Sequence, residues 1–525
     1  MRIRSIYIAA LVATLVPAAN APAAVPCAVP SPTYPTIQSA LDDPACDPIA
    51  LEAQAFMESL VVERAVEIVG AGAGVTFLDG ASAQRVVKVT PSGLLTLRGA
   101  TIQHGRASYG GGILVEGTLT LLDAWITEST ASPDAGGGMF VAPGASATIV
   151  RSRVATNVAA DEGGGIAVEE GELTIAESTL DDNKSGREGG GALWIDGAAT
   201  VLNSTISGNR ASSIGGAGGV QLADGTLSIA QSTITRNRGG AVDGVLQESG
   251  DLALFASILD DNSAVDCGGA IRSLGYNIVE HTGSCPFLAT GDRVGVDANL
   301  ALLGEQGGTT PTHLPRITSA AIDIAPASLC SPRDQRGFAR TGPCDAGAVD
   351  VSICLGRYVT IAGTPGDDQL LGTAGDDVIR GYEGSDTILA GRGADMVCGE
   401  AGDDLISAGD GPDAVDAGEG ADRVTGGPGN DHLLGGLGND RIGGGGDRDQ
   451  IHGGRGDDVL GGGLASDRLY GQEGHDLLRG NRHGDRLRGG PGNDRLNGGR
   501  GRDDCRGGQG WRDHRVSCES RGSPH

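Results

Sequence analysis

The chain has 525 residues, a formal net charge of −28, ninety-one Gly and only sixteen aromatic residues. Acidity on this scale argues against nucleic acid as a partner. So much Gly with so few aromatic residues excludes one large globular core and leaves disorder or a stack of small repeated units.

Residues 1–23 read as a secretory signal. Arg2 and Arg4 form a charged start, Ile6 to Val16 an apolar run, and Ala21-Pro22-Ala23 a small-residue cleavage site. The run is short for a membrane anchor, and no later segment reads as a span. Lys occurs only at Lys88 and Lys184, a bias expected of a GC-rich bacterial genome. Export by a Sec-type route places the ten Cys in an oxidising compartment. Spacing alone does not fix connectivity. Pairing of sequence neighbours is expected: Cys27–Cys46, Cys267–Cys285, Cys330–Cys344, Cys354–Cys398 and Cys505–Cys518. Zinc is the alternative, although no pair has C-x-x-C spacing.

Residues 24–272 carry a repeat of about 26 residues with Gly clusters at Gly110, Gly136, Gly163, Gly189, Gly218 and Gly239. Strand-like segments follow the first five: TLTLLDAWI, SATIVRSRV, ELTIAESTL, ATVLNSTIS and TLSIAQSTI. An Asn then recurs as Asn157, Asn183, Asn209, Asn237 and Asn262. Two-residue alternation marks strands with one buried face, and the coil length suits a right-handed parallel β-helix with three short strands per turn. The Asn column is expected to form a side-chain ladder that satisfies turn backbone groups. The opening stretch, YPTIQSAL through AVEIVGAGAGVTFLDG, resembles pectin-lyase-like β-helices, which implies a capping helix around Ile37–Leu41. The Gly and Asn pattern is similar to bacterial surface β-helix repeats, including polymorphic outer-membrane proteins. Residues 273–351 contain LGYNIVE, GTTPTHL, SAAIDIA, DQRGFAR and CDAGAVD. They resemble the choice-of-anchor Q domain of secreted β-helix proteins, which precedes surface-attachment elements.

Pectate lyases and polygalacturonases share the β-helix, but fold alone is a weak warrant for activity. Carboxylate pairs of the kind that cleave glycosides are limited here to Asp181 with Asp182 and Asp260 with Asp261. Equivalent places in neighbouring coils hold Ala155-Thr156, Ser207-Gly208 and Thr235-Arg236, so no cluster of acids across coils is expected and the pairs read as solvated turn residues. Trp125, Trp194 and Trp511 are too few for a sugar platform. His104, His281 and His313 stand isolated. The reading leans against an enzyme and assigns no catalytic residue. A groove with two or more adjacent acids and an Arg on one face would favour an enzyme; a floor of Ala, Ser and Thr would favour display.

After a linker at 352–362, residues 363–508 hold sixteen nine-residue units from GTPGDDQLL to GGRGRDDCR, ending at Arg506. The sixth position is always Asp: Asp368, Asp377, Asp386, Asp395, Asp404, Asp413, Asp422, Asp431, Asp440, Asp449, Asp458, Asp467, Asp476, Asp485, Asp494 and Asp503. The eighth is aliphatic from Leu370 to Leu496 and Cys505 in the last unit. This resembles the RTX nonapeptide, whose resemblance implies a calcium-binding parallel β-roll with two units per turn. Gly permits the positive φ of a tight turn, the turn presents carbonyl oxygens, and the Asp adds a carboxylate of the kind calcium prefers. Asp368, Asp386 and their successors would line one edge; Asp377, Asp395 and theirs the other. Without metal each edge is a column of like charges about 5 Å apart, so folding is expected to depend on calcium. Residues 363–440 carry seventeen acidic side chains and three Arg, residues 441–506 eleven and twelve. Arg423, Arg441, Arg468, Arg486 and Arg495 directly follow the Asp and are candidates to offset its charge. Asp447, Ala465 and His483 replace the fourth-position Gly, and Pro412 adjoins Asp413, which puts those sites in question. The tail, 509–525, would fold over the end of the roll through Cys505–Cys518. RTX proteins commonly leave by a carboxy-terminal signal; the amino-terminal signal here points to Sec export instead.

The sequence thus describes an all-β chain, a right-handed parallel β-helix followed by an RTX β-roll. The expected cofactor is calcium and the expected role that of a secreted surface or matrix-associated, adhesin-like binding protein, with an extracellular polysaccharide or cell surface as partner and no nucleic acid. The alternative is a polysaccharide lyase or glycoside hydrolase with a calcium-dependent appendage.

Overall fold

The structure, a computed structural model, describes residues 27–518 apart from 213–215, 305–307, 317, 323, 338–339, 341–343, 352, 365 and 510–512. The expected signal at 1–23, Trp511 and the last residues of the tail lie outside the described residues. The chain forms two compact units, Met1–Asp350 and Val351–His525.

The first unit is a parallel β-helix whose coils contribute to three sheets. One coil illustrates it, with strands Ile113–Val115, Thr118–Leu122, Trp125–Thr127 and Thr130–Ala131. Alternation sends every second residue inward, and in-register pairing stacks like on like. Leu97, Leu121, Ile149, Ile175, Val201, Ile229 and Leu254 form one continuous column. All seven are fully buried, and each is worth about 1.5–3 kcal/mol of burial. The expected helix is present at Ile37–Leu41 and buries Ile37, Ala40 and Leu41. Its orphan N–H groups at Ile37 and Gln38 donate to the Glu58 carboxylate at 3.0 and 3.1 Å. Arg64 donates to the carbonyl of Leu41 at its end and to those of Asp43 and Cys46 beyond it. Both helix ends are therefore satisfied by side chains.

The Asn column is a buried ladder. The Oδ1 of Asn209 accepts from the N–H and Nδ2 of Asn183 at 2.9 and 3.0 Å, and its own Nδ2 donates to Leu180 O and to Asn237 Oδ1. The same pattern links Asn157, Asn183, Asn237 and Asn262. A second ladder, of Ser152, Ser178, Ser204, Ser232 and Ser257, runs one turn away. From Ser178 onward each hydroxyl accepts the N–H of the serine one coil before, and that of Ser152 accepts the N–H of Ala124.

The described residues of 298–348 do not continue the stack. They lie across the outer face of Thr179–Asp181, Thr205–Ser207, Thr233–Thr235 and Ile258–Asp260. Thr179 Oγ1 donates to Pro311 O, Thr205 Oγ1 to Gln335 Oε1, and Ala348 N–H to Thr233 Oγ1. The Ser207 hydroxyl meets His313 Nε2 at 2.9 Å. This strap corrects the reading of Asp181 and Asp260 as solvated: they are 1% and 2% exposed. Asp181 accepts from Nε and Nη2 of Arg153, and Asp260 accepts the N–H of Ala298 at 3.0 Å. The same cover leaves His313 buried, which pulls its pKa down to about 4.

In the second unit a small hairpin, Ile353–Cys354 with Arg357–Tyr358, precedes two parallel nine-stranded sheets. Each strand pairs with the one eighteen residues on, as in Leu433↔Ile451 and Leu460↔Leu478, except the last pair, Leu496↔Arg515, which is nineteen apart. The eighth-position residues fill the space between the sheets and are buried without exception. All ten Cys are paired as the neighbour rule expects.

Asn209→Ala should cost the β-helix on the order of 3 kcal/mol, because it strands a buried donor and a buried carbonyl at about 1–3 kcal/mol each. Exposed Thr226→Ala should stay within about 0.5 kcal/mol. Urea unfolding followed by circular dichroism reads the difference; equal midpoints would mean that the ladder is not structural.

Candidate metal centre

From Gly381 onward each roll turn takes positive φ at its second and fourth positions. In the unit 453–461 these are Gly454 at +119° and Gly456 at +137°. A Cβ on either would collide with the carbonyl of Gly436 or Gly438, eighteen residues earlier. The fourth-position replacements Asp447, Ala465 and His483 keep the left-handed backbone, at +59°, +70° and +74°. This costs about 1–2 kcal/mol each, but the turn survives, and Asp449, Asp467 and Asp485 stay in their columns.

The turn aims the sixth-position Asp inward between stacked loops. Its Oδ1 accepts the N–H of the Asp eighteen residues before it, as from Asp422 to Asp440 and from Asp440 to Asp458, both 2.9 Å. The two edges carry the two columns expected from the sequence. From Asp386 to Asp503, fourteen of these side chains have a buried Oδ2 with no hydrogen-bond partner. The first-position Gly leaves the space beside that oxygen: a Cβ at Gly453 would strike Oδ2 of Asp458, and one at Gly471 that of Asp476. Asp368 and Asp377 differ, because Thr364 and Thr373 donate both N–H and hydroxyl to their Oδ2.

Two features escaped the sequence reading. Asp513 continues the first column, accepting the N–H of Asp494 at 3.3 Å. Its unit, GGQGWRDHRV, holds one extra residue and Arg515 at the aliphatic place, which hid it from a strict nine-residue count. The fifth position forms a ladder of opposite sense: Asp367, Asp376, Asp403, Asn430, Asn439 and Asp457 accept the N–H eighteen residues after them. The recurrent D-D and N-D pairs were its signal. The Arg after the column Asp do not offset its charge: Arg423, Arg441, Arg468, Arg486 and Arg495 point outward and are exposed.

Burial raises the column carboxyls. Asp422, Asp449, Asp458 and Asp485 are pushed up to about 7, and Asp404, Asp413, Asp467 and Asp476 to about 6. A buried carboxylate oxygen without a donor requires a proton or a cation. Oxygen donors alone, at buried carboxylates between stacked turns, suit a hard divalent ion of the calcium type.

The first unit offers other acidic groupings. Asp260, Asp261, Glu280 and Asp297 line a cavity of about 410 Å³ with Arg236 and Arg316. This overturns the expectation of no acid cluster: the next coil and the strap supply the partners that the coil comparison could not see. Burial pushes Asp260 up to about 7, while Asp261 pairs with Arg236 at 3.1 Å. His104 is not isolated, with Nδ1 2.9 Å from Asp79 and Nε2 2.7 Å from Glu128. Nor is His281, which offers one ligand atom within 4.8 Å of those of Asp266 and Glu280. Both Asp266 oxygens are already taken, by Asn262 Nδ2 and by the His281 N–H, so this trio lacks the orphaned oxygen that marks the roll.

Residues 362–397, 399–433, 416–451, 425–460, 443–478, 461–489 and 479–510 match the RTX calcium-binding nonapeptide repeat. Residues 85–282 match the right handed beta helix region. No curated protein matches the chain. The chain is therefore a calcium-binding solenoid protein, a right-handed β-helix followed by RTX repeats.

The raised carboxyls set a pH dependence. In the unfolded chain Asp titrates near ~3.9, so the metal-free roll binds extra protons, and its stability falls as pH rises from about 4 through about 7. In calcium-free buffer the roll should melt higher at pH 5 than at pH 8, by thermal circular dichroism. The reverse order would show that the columns are not protonated in the fold.

Proposed function

We propose that the column aspartates from Asp386 to Asp503 hold calcium through Oδ2, together with turn carbonyls, and that the loaded protein acts outside the cell as a surface or matrix-associated, adhesin-like binding protein. The carrying observation is the run of fourteen buried, unpartnered carboxylate oxygens. Calcium supplies the positive charge that lets the columns stack at neutral pH. Asp368 and Asp377, already held by threonine, bind more weakly. Five disulfides support an oxidising, extracellular setting, in keeping with the amino-terminal signal. The strap supports a role for residues 273–351 as an anchor-type cover that stiffens a display scaffold. Among the described residues no helix is long and apolar enough to cross a membrane.

Titrating the full chain from chelated to ~10 mM calcium should add β-signal with a midpoint near ~0.1–1 mM, where extracellular modules bind, and magnesium should not substitute. Asp458→Asn should reduce the calcium bound at saturation and leave the β-helix melt unchanged. A roll fully formed in chelator at pH 8 would remove calcium from the folding step.

The acid-lined cavity favours the second reading, a polysaccharide hydrolase or lyase. Carboxyls whose environments differ, as at Asp260 and Asp261, are the pattern that divides acid from base in glycoside cleavage. Reducing-end release from acidic and neutral polysaccharides decides it. No turnover is expected; turnover abolished by Asp260→Asn would make the protein an enzyme.

A further inference from the structure

The carboxy-terminal half of the roll carries a charge pattern that calcium binding alone does not explain. Residues 441–506 hold twelve Arg, and of their eleven acidic side chains seven are the buried column aspartates. Once those are neutralised, four acidic residues remain outside the columns, and eleven of the twelve Arg are exposed. The arginines are also ordered. On the strands Gln450–Arg455, Arg468–Glu473, Arg486–Pro491 and Asp504–Gln509, the seventh and ninth positions face outward in two rows. Pairing sets Arg468 beside Arg486, and in the parallel row His452, Tyr470, Arg488 and Arg506 follow one another. Like charges directly opposite on neighbouring strands are destabilising. Asp504 relieves one such pair, with Arg488 at 2.9 Å and Arg506 at 3.6 Å. Arg468 and Arg486 have no acidic partner among the described residues. The guanidinium groups of Arg468 and Arg486, at strand spacing, with Arg488 and Arg506 in the parallel row beside them, match a linear chain that repeats carboxylate or sulfate groups, each of which an Arg can grip with two hydrogen bonds.

We infer that this outer sheet face, built on Arg468, Arg486, Arg488 and Arg506, binds an acidic polysaccharide when the roll is calcium-loaded. The inference rests on the binding role proposed above and names the chemistry of the partner. The aromatic pair argues against single-stranded nucleic acid. His452 and Tyr470 stack on each other at 4.6 Å and 11°, so no gap is left between them for a base, and successive bases on open rings are what such binding needs. The rest of the acidic chain repels a polyanion only weakly at the patch, because ionic screening limits its reach to about 8–10 Å in physiological salt.

The test uses the full chain on immobilised heparin, with oligothymidylate and neutral dextran as comparisons, in calcium and in chelator. Heparin should bind in calcium, release with salt and fail in chelator, and dextran should not bind. R468Q/R486Q should weaken heparin binding roughly tenfold, about 1.4 kcal/mol, while R423Q/R441Q on the opposite sheet should change it less than about twofold. Circular dichroism of the same samples separates the two layers of argument. An absent calcium transition would sink the calcium reading itself. A normal transition with no heparin binding, or binding that R468Q/R486Q leaves intact, would overturn the inference. Preference for oligothymidylate would replace it with a nucleic-acid surface.

Discussion

In-register stacking is the constraint on which both units depend. Parallel pairing places each residue against its counterpart one coil away, at strand spacing, so a turn residue must tolerate a copy of itself above and below. Leu and Ile tolerate it by packing. Asn does so by chemistry, since one amide carries both donors and an acceptor, and from Asn157 to Asn262 each amide bonds the next. An ionised Asp has acceptors only. Its column can use one oxygen on the backbone of the previous coil but leaves the other with nothing. The two ladders have the same geometry, and the difference of one amide group separates a self-sufficient turn from one that needs an ion.

The same constraint explains what was legible in the sequence. The aliphatic eighth position, the Asn column and the two Asp edges repeat at fixed intervals, so a period reveals them, and the coils place them as the period says. Contacts without a period were hidden. The strap over Thr179–Asp181 and Thr205–Ser207 joins residues more than a hundred positions apart. Its effect on Asp181 and Asp260 could not follow from comparing neighbouring coils. Asp513 was missed because one inserted residue breaks the count while the column tolerates it. The reversed fifth-position ladder was missed because Asp and Asn alternate there, and only their shared acceptor oxygen matters.

The strap also changes what the β-helix can present. Its floor of Thr, Ser and Asn is the kind of polar face that would suit display, yet Thr179, Thr205, Ser207 and Thr233 are buried under the strap. What that part of the β-helix offers to a partner is therefore the strap and its acid-lined margin at Asp260 and Asp297.

The placement of the disulfides has a mechanical meaning. A stack whose layers touch only their neighbours comes apart like a zipper, from whichever terminal layer loosens first. Cys27–Cys46 lies at the opening coil of the β-helix and Cys267–Cys285 near its closing coils. Cys354–Cys398 ties the entry hairpin to the early roll strands, and Cys505–Cys518 locks the last strand. Each zipper is thus stitched near both ends, so that fraying, and the proteolytic trimming that follows it, must begin in the interior, where the ladders are complete.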